Sequence, residues 1–427
     1  MAVPEGQLFV HSFYGYALVN IALESPPGSE PRRRACTELE DLLTRIDKIK
    51  HQFPFTLNAK LKPSGGIIIA GHSNLLRAGY LALGGNNPQI KHDFDVGSEE
   101  IANSILNGKV PFPECYPGYT WAEDSIFALE SLRLHDVLCH SDYSRARNAW
   151  LSWLKSHIDP ESGMMVTQID VKTGQVIDGP RGSAISWALG FLPYSDPQFA
   201  HEQFSRFRKN WFVPFAGMLG INEWYHGVPH ETAFPSGPVA FGLSEAATGI
   251  GIGACRANGD YHSWHLILRA LNTMALPVWT PTGERNFFWG QCMLADSLAV
   301  WGETARRWDA DVKPNSTYAA SDYAAKESQY YAVMFVVACF SFVVIWMLGH
   351  QTLDSFKNKT AVRPGWRPIT IIAFVLQFFA VVALFSTSAF CWPVLLIYML
   401  VVDVLEQIAL RARKVGVNSG SPVELHS

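Results

Sequence analysis

Residues 111–136 read PFPECYPGYTWAEDSIFALESLRLHD, a polar and aromatic loop that runs into a stretch of helical period. The same alternation continues through the first 310 residues, where helical stretches are separated by loops rich in Gly, Pro and aromatic residues. These stretches cover residues 7–24, 35–51, 71–84, 97–107, 119–138, 142–157, 182–192, 197–209, 239–257, 260–275 and 289–308. No fixed-period repeat accompanies them, which disfavours a helical solenoid. We therefore predict an all-α fold in which paired helices close into a toroid, the (α/α)6 barrel.

Local signals mark several boundaries. Asp142 and Asp196 each precede a helical stretch and are predicted to cap it, and Pro197 suits the first helical position after Asp196. Two stretches favour β-structure instead. Residues 61–71 contain a strand-like apolar run, and residues 164–179 alternate around Lys172, Thr173 and Gly174, which we interpret as a hairpin turn.

Composition excludes several classes of protein. The chain has 427 residues, 34 basic and 38 acidic, with a net charge of −4 and 13% aromatic residues. This is unlike disordered chains, collagen or basic nucleic-acid binders, so we expect no nucleic-acid partner. Seven cysteines at irregular spacing do not resemble a disulfide framework and are interpreted as mostly reduced thiols. The mean hydropathy of +0.06 is high for a soluble enzyme, and the apolar excess lies at the C-terminal end.

Two uncharged runs in this region predict membrane spans. Residues 331–348 would form a helix of about 27 Å, and residues 369–402 would reach about 51 Å, too long for one span. We favour a helical hairpin for the second run, and a single long kinked helix is the alternative. The predicted organisation is a catalytic domain at 1–310, a linker at 311–330, a transmembrane helix at 331–349, a transmembrane hairpin at 369–404 and a polar tail at 405–427.

The membrane orientation receives conflicting signals. Basic residues between and after the spans favour a cytosolic position for those segments, which would put the N-terminal domain across the membrane. Residues 1–24, however, are a poor signal peptide, because Glu5 is the only charged side chain before Glu24. We therefore expect a multi-pass protein of the endoplasmic reticulum membrane with a cytosol-facing catalytic domain. In that orientation the sequon at Asn358, but not the one at Asn315, could be glycosylated.

The opening stretch also carries the main candidates for chemistry. Glu123 and Asp124 lie in the first turn of the predicted helix, where the helix dipole stabilises carboxylates, so capping alone is one interpretation. Asp124, however, follows a loop with one thiol and three aromatic side chains: Cys115, Tyr116, Tyr119 and Trp121. Desolvation among aromatics raises the pKa of a carboxyl group, which would let Asp124 act as a general acid or base near neutrality.

Together with GPRGSAISWALGFLPY at residues 179–194, this stretch resembles the linalool dehydratase/isomerase family over about residues 60–310. The resemblance implies an (α/α)6 barrel that dehydrates or isomerises allylic terpene alcohols without a metal or organic cofactor. It also implies two cysteines beside the substrate, assisted by a histidine and tyrosines. Cys115 resembles one of these cysteines, but the nearest candidate for the other is Asp124, a carboxylic acid. Because of this departure, the reaction or substrate can differ from the family prototype.

His72 is the candidate for the family's histidine. It lies 43 residues before Cys115, and a pKa near neutrality would suit a proton shuttle. The alternative is that this lone histidine is structural.

A second candidate cluster spans residues 222–226, NEWYH. We favour Tyr225 over Glu223 as a catalytic group, and expect Glu223, Trp224 and His226 to line the substrate together with Tyr116, Tyr119 and Trp121. His226, His230 and Glu231 superficially suggest a metal site, but Gly227 and Pro229 interrupt the helix that such spacing needs, so we predict no metal. Gly249, Gly251 and Gly253 lack a preceding strand and are predicted to permit close helix packing.

These observations predict a membrane-anchored, cofactor-independent lyase, isomerase or cyclase. Its substrate would be a hydrophobic, hydroxylated or epoxidised terpenoid-like intermediate of natural-product biosynthesis. Its other partner would be the lipid membrane, and the sequence is compatible with a homo-oligomer. Asp124 would protonate the oxygen, and Cys115 or His72 would remove the compensating proton. One alternative is a carbohydrate-active (α/α)6 glycosidase or lyase with Asp124 and Glu223 as its carboxylates, and Trp121 and Trp224 stacked on sugars. Another is a non-catalytic membrane receptor or scaffold.

Overall fold

The computed structural model describes residues 4–228, 237–275, 277–280, 283–290, 292–309, 318 and 329–332. These residues belong to two compact units. The first contains the described residues up to Leu271 and from Gly290 to residue 318, and the second contains Asn272–Trp289 and residues 329–332. The predicted hairpin, the polar tail, both sequons, His230, Glu231 and all but the first two residues of the predicted first span lie outside the described residues. Within the described part, no helix combines the length and the apolar character needed to cross a membrane.

The described residues form eleven α-helices. They are α1 (Pro4–Ala22), α2 (Glu30–Ile49), α3 (Gly66–Ala82), α4 (Pro88–Asn107), α5 (Ala122–Cys139), α6 (Ser144–Ser156), α7 (Gly182–Ser195), α8 (Pro197–Trp211), α9 (Glu245–Ala257), α10 (Tyr261–Met274) and α11 (Met293–Thr304). The predicted helices all exist, and most boundaries shift by a few residues.

Helix contacts define a closed ring. Each odd-numbered helix contacts the next odd-numbered helix, and α11 contacts α1, while α2, α4, α6 and α8 pack against neighbouring members of the ring. Short connections reverse the chain after each inner helix, so the six inner helices run in the same direction. This topology confirms the (α/α)6 toroid. We call the end with the N-termini of the inner helices the mouth.

Burial explains why helices occupy these positions. The outer helix α2 buries one stripe, including Leu39, Leu42 and Ile46, and exposes charged residues on its other faces. The inner helix α3, in contrast, is buried on nearly all sides, from Ile67 to Tyr80. A helix inside the ring has no solvent face, so its sequence shows a continuous apolar run instead of an amphipathic period.

Loop length differs sharply between the two ends of the ring. The connections after inner helices are short: residues 23–29, 83–87, 140–143, 196 and 258–260. The four mouth loops of the first unit are long and lie within residues 50–65, 108–121, 157–181 and 212–244, where residues 229–236 are outside the described part. Long loops gathered at one end of a scaffold are the usual place for a functional site.

The mouth loops contain short antiparallel strands. Strand β1 (Tyr119–Trp121) pairs with β2 (Gln168–Asp170), which pairs with β3 (Val176–Asp178). The predicted turn at Lys172, Thr173 and Gly174 connects β2 to β3, as expected. The other first-unit pairs are β4 (Phe212–Phe215) with β5 (Met218–Ile221), and β6 (Val239–Ala240) with β7 (Leu243–Ser244). The second unit contains the pair β8 (Val278–Trp279) and β9 (Arg285–Asn286).

Several local expectations need correction. The strand-like run at 61–71 is wrong, because its apolar residues begin the buried helix α3 at Gly66. The helix expected at 239–257 begins only at Glu245, after the β6–β7 hairpin. Asp196 caps α8 as predicted, with its Oδ1 accepting the Phe199 N–H at 3.0 Å. Tyr143, not Asp142, is the N-cap residue of α6, and Asp142 accepts the Ser144 N–H at 3.0 Å.

Candidate active site

The loop before α5 brings a thiol to a carboxyl group at the mouth. Cys115 is fully buried and forms a hydrogen bond with the half-buried Asp124, in which the thiol donates to the ionised carboxyl. Two further hydrogen bonds, one to its backbone carbonyl and one to its sulfur, hold Cys115 in place. The Asn58 side chain donates to the Cys115 carbonyl at 2.8 Å, and the Trp121 N–H donates to the sulfur at 3.4 Å. The predicted proximity of Cys115 and Asp124 is therefore confirmed.

Burial changes the acidity of this group of side chains. Desolvation raises the pKa of Asp124, the Cys115 hydrogen bond opposes this, and the charge of Glu5 adds to it. Desolvation and the neighbouring Asp124 raise the pKa of Glu123 further, although Arg181 counteracts the effect on both carboxyls. Two adjacent carboxyls that resist ionisation are a typical source of a proton donor at neutral pH.

Glu123 differs from Asp124 in its surroundings. Its side chain is buried, and its Oε2 has no hydrogen-bond partner among the described residues. An unpartnered buried carboxylate oxygen is costly when charged, which is consistent with a neutral carboxyl group. The interpretation of Glu123 as a simple capping residue is therefore incomplete.

Glu5 is a member of the site that the sequence did not indicate. It lies in the first turn of α1, accepts a hydrogen bond from the Tyr116 hydroxyl, and is close enough to raise the pKa of Asp124. Burial and the Glu5 hydrogen bond raise the pKa of Tyr116, whose ring stacks on Phe55 at 6.0 Å. No local pattern in the first ten residues marks Glu5, because only ring closure brings α1 to the loop before α5.

Aromatic side chains lie beneath the carboxyl groups. Phe127, one turn after Asp124 on α5, lies 5.9 Å from the partly exposed Trp187 of α7. Trp187 in turn lies 4.5 Å from Phe13 and 5.7 Å from Phe9 of α1. The mouth therefore has acidic groups at its edge and an aromatic floor, defined here by the partly exposed Phe9 and Trp187 and by the buried Phe13 and Phe127 packed behind them.

His72 lies below this floor and does not match the expected proton shuttle near neutrality. It is fully buried, stacks on Phe127 at 3.9 Å, and is hydrogen-bonded through Nδ1 to the Tyr16 hydroxyl at 2.7 Å. Desolvation lowers its pKa to about 3. The expectation of a pKa near neutrality is therefore wrong, because no charged group among the described residues offsets the burial of the imidazole.

The predicted cluster at residues 222–226 divides into structural and peripheral positions. The fully buried Glu223 accepts the Ser183 hydroxyl at 2.7 Å and the Ser183 N–H at 3.3 Å, so both of its oxygens stabilise the start of α7. Trp224 is buried, Tyr225 packs 5.2 Å from Trp211 of α8, and His226 adjoins Tyr225 at 4.1 Å.

The remaining predicted aromatic residues lie at the rim of the mouth. Trp121 is half-buried and lies edge-on to Tyr116 at 6.4 Å. Tyr119 is exposed and stacks on Trp121 at 6.2 Å. The structure thus brings Tyr116, Tyr119 and Trp121 together with Cys115 and Asp124.

Outside the mouth, the described residues contain one cluster with metal-ligating side chains: Asp95, His135 and Cys139. The Lys91 ammonium lies 2.9 Å from both Asp95 oxygens, and His135 Nε2 lies 2.9 Å from Asp95 Oδ1. Lys91 therefore already supplies a positive charge to this cluster.

Among the three neighbouring glycines of α9, Gly251 and Gly253 pack closely as predicted, whereas Gly249 faces open space.

Comparisons with known proteins found solved structures that align with about 70% of this chain. No family model matches the chain. The α-1,6-mannanase GH76A from Salegentibacter sp. HEL1_6 aligns with 69% of this chain and 88% of its own at 14% identity and a TM-score of 0.44. An inactive variant of that mannanase in complex with α-1,6-mannotriose gives 13% identity and a TM-score of 0.41, covering 69% and 89%. The GH76 α-mannanase from Bacteroides thetaiotaomicron gives 10% identity and 0.41, covering 70% and 84%.

Proposed function

We propose that the protein is an enzyme that performs acid/base chemistry on an apolar, oxygen-bearing substrate held in the mouth of the helical ring. The observation that carries this proposal is the half-buried Asp124 carboxyl, which has a raised pKa and a hydrogen bond to the Cys115 thiol. It lies directly above an aromatic floor. Because its pKa is raised to about 6, this carboxyl keeps a protonated fraction near neutrality, and next to an apolar surface it suits the protonation of a hydroxyl or epoxide oxygen.

The proposed reaction is the loss of water or the rearrangement of a terpenoid-like alcohol. Asp124 gives its proton to the hydroxyl oxygen, and the C–O bond breaks to release water. Trp187 and Phe9, the partly exposed members of the floor, stabilise the positive charge that develops on carbon by cation–π attraction. The Asp124 carboxylate then takes a proton from the adjacent carbon, which forms the alkene and restores the acid. Capture of the cation by water or by another double bond would give isomerisation or cyclisation instead.

The neighbouring groups have supporting roles in this scheme. The Cys115 thiol stabilises the Asp124 carboxylate by hydrogen bonding once the proton has left, and the negative charge of Glu5 favours its return. His72 is a weak base because of its low pKa, so the compensating proton is assigned to Asp124 and not to His72. This mechanism needs only side chains of the chain itself.

Membranes containing the full-length protein test this proposal. Incubation with terpene alcohols should give products that differ from the substrate by loss of water or by rearrangement. Asp124→Asn should reduce the rate by about 10² to 10⁴, the usual contribution of a general acid. Asp41→Asn, the same change at an exposed position on the outer helix α2, is the matched control and should retain activity. Full activity of Asp124→Asn would overturn the proposal.

A glycosidase is the second candidate, and the adjacent carboxyls Glu123 and Asp124 favour it. Glycoside hydrolysis usually needs one protonated and one ionised carboxyl, and two buried neighbours of like charge provide such a pair. The same membranes should therefore be incubated with α-1,6-mannan, the substrate class named for the compared structures. Release of reducing sugar without turnover of any terpene alcohol would select this candidate over the first.

A further inference from the structure

Large apolar side chains are exposed around the mouth. Each of the four long mouth loops presents at least one of them, and the first residue of α11 adds another; we call this set the rim. Its members are Phe53, Leu57, Tyr119, Val176, Ile177, Val228, Phe241 and Met293. At the opposite end, the loops at 23–29, 83–87, 140–143 and 258–260 expose no large apolar residue, and the last turns of α1 and α5 expose one each, Ile21 and Val137. Isolated exposed apolar residues are common, but a set gathered at one end of a scaffold indicates an interaction surface.

Phe241 is the most telling member of the rim. It lies at the tip of the β6–β7 hairpin, where Phe241 and Gly242 have φ values of 52° and 83°. Two-residue hairpin turns with positive φ at both central positions strongly favour Asn-Gly, because a bulky side chain at the first position is strained. Here the strained position carries a phenylalanine whose side chain is fully exposed. A strained and fully exposed aromatic residue contributes little to folding, so its position points to a binding role.

The same loops carry positive charge. Lys60, Lys62, Lys109 and Lys172 are exposed, whereas Glu161 is the one exposed acidic residue in the described parts of these four loops. Of the four lysines, Lys62 has a distant partner, Glu100, at 3.9 Å. Exposed aromatic and aliphatic side chains interspersed with lysines are typical of surfaces that bind anionic lipid head groups.

We propose that the rim docks the mouth onto an anionic lipid bilayer, with Phe53, Val228 and Phe241 inserted among the head groups and the lysines against lipid phosphates. The sequence supports a membrane as the occupant, because the chain continues into the uncharged runs at residues 331–348 and 369–402. Docking in this direction would open the aromatic floor towards the bilayer, so that an apolar substrate could enter without crossing water. The rim and its occupant do not depend on which reaction Asp124 performs.

Photo-crosslinking of the full-length chain tests the orientation. Phe241→p-benzoylphenylalanine is compared with Ile21→p-benzoylphenylalanine, an exposed position near the opposite end of the ring, in phosphatidylcholine vesicles containing phosphatidylserine. Adducts with lipid acyl chains are expected at position 241, at least tenfold more than at position 21. Equal labelling, or adducts at position 241 only with a second copy or with residues 331–427, would overturn the proposal. Melting temperatures of both variants should match the parent, which verifies folding.

A second variant separates insertion from hairpin stability. Phe241→Asn replaces a strained residue with one that favours this turn, so the melting temperature should stay constant or rise. In a chain that carries p-benzoylphenylalanine at position 53, Phe241→Asn should reduce the yield of lipid adducts several-fold. An unchanged yield would contradict a shared docking surface.

Discussion

At the residue scale, His72 illustrates how burial decides protonation. The folded protein holds the imidazole neutral with a pKa of about 3, whereas the unfolded chain protonates it below about 6.5. The stabilisation by the neutral histidine is therefore complete above pH 6.5 and is lost as the pH falls from 6.5 towards 3.

We expect His72→Gln to lower the melting temperature at pH 7, because it disturbs the buried contacts with Tyr16 and Phe127. The difference between the parent and His72→Gln should shrink on acidification, by up to about 1.4 kcal/mol per pH unit. Thermal unfolding of both full-length proteins from pH 7 to pH 4 measures this effect. A difference that stays constant over this range would show that His72 does not titrate as argued.

The charge of Glu5 should be visible in the pH dependence of activity. Glu5 raises the pKa of Asp124, so Glu5→Gln should lower that pKa and move the alkaline decline of the rate to lower pH. Arg181 acts in the opposite direction, so Arg181→Gln should move the decline to higher pH. The dependence of the rate on pH, measured for the parent, Glu5→Gln and Arg181→Gln, tests both predictions. Shifts of the same sign would refute the electrostatic explanation.

At the element scale, the glycines of α9 allow a matched pair of substitutions. A Cβ at Gly253 would lie 2.3 Å from the Trp301 ring, whereas a Cβ at Gly249 meets nothing within 4 Å. Gly253→Ala should therefore destabilise the fold by about 1–3 kcal/mol. Gly249→Ala should be neutral or stabilise it by up to about 1 kcal/mol, through helix propensity. Thermal unfolding measures both, and equal effects would contradict the close packing of α9 against α11.

The helices show how far the sequence could predict the elements. Both ends of α8 and the C-terminal end of α2 were predicted within two residues, because amphipathic patterns and an Asp196 cap mark these helices, whereas α2 begins at Glu30 and not at residue 35. The start of α3 was missed, since an inner helix buried on all sides has the same short apolar run as a buried strand. The β6–β7 hairpin was also missed, because its turn carries Phe-Gly in place of the usual Asn-Gly.

The same limit applies to the candidate site. Cys115 and Asp124 were predicted as neighbours because only eight residues of chain separate them. Glu5 was not predicted, because its partner Tyr116 lies 111 residues away along the chain. The role of Glu223 at the start of α7 was hidden for the same reason, since its partner Ser183 is 40 residues away.

At the scale of the whole molecule, the mouth carries the candidate site, and residues after α11 pack against the opposite end of the ring, called here the sealed end. The segment after α11 crosses the end opposite the mouth. Trp308 donates to Asn20 of α1 at 2.7 Å, and Asp309 binds Arg133 of α5 at 2.7 Å. Arg133 also pairs with Glu130 at 2.8 Å, and all three charged groups are buried. This segment therefore ties the two sides of the ring together after α11 has closed it.

Breaking this buried network should cost much more than breaking an exposed ion pair. Asp309→Ala leaves the buried Arg133 with only one of its two partners, so we expect a loss of about 3 kcal/mol and a clearly lower melting temperature. Arg33→Met, which removes the exposed pair with Glu30, is the control and should cost less than about 1 kcal/mol. The double variant Arg133→Met/Asp309→Leu should lose less stability than the sum of its two single variants, because both single variants break the same Arg133–Asp309 interaction. Additive losses would mean that the two residues stabilise the sealed end independently and that no shared network ties it.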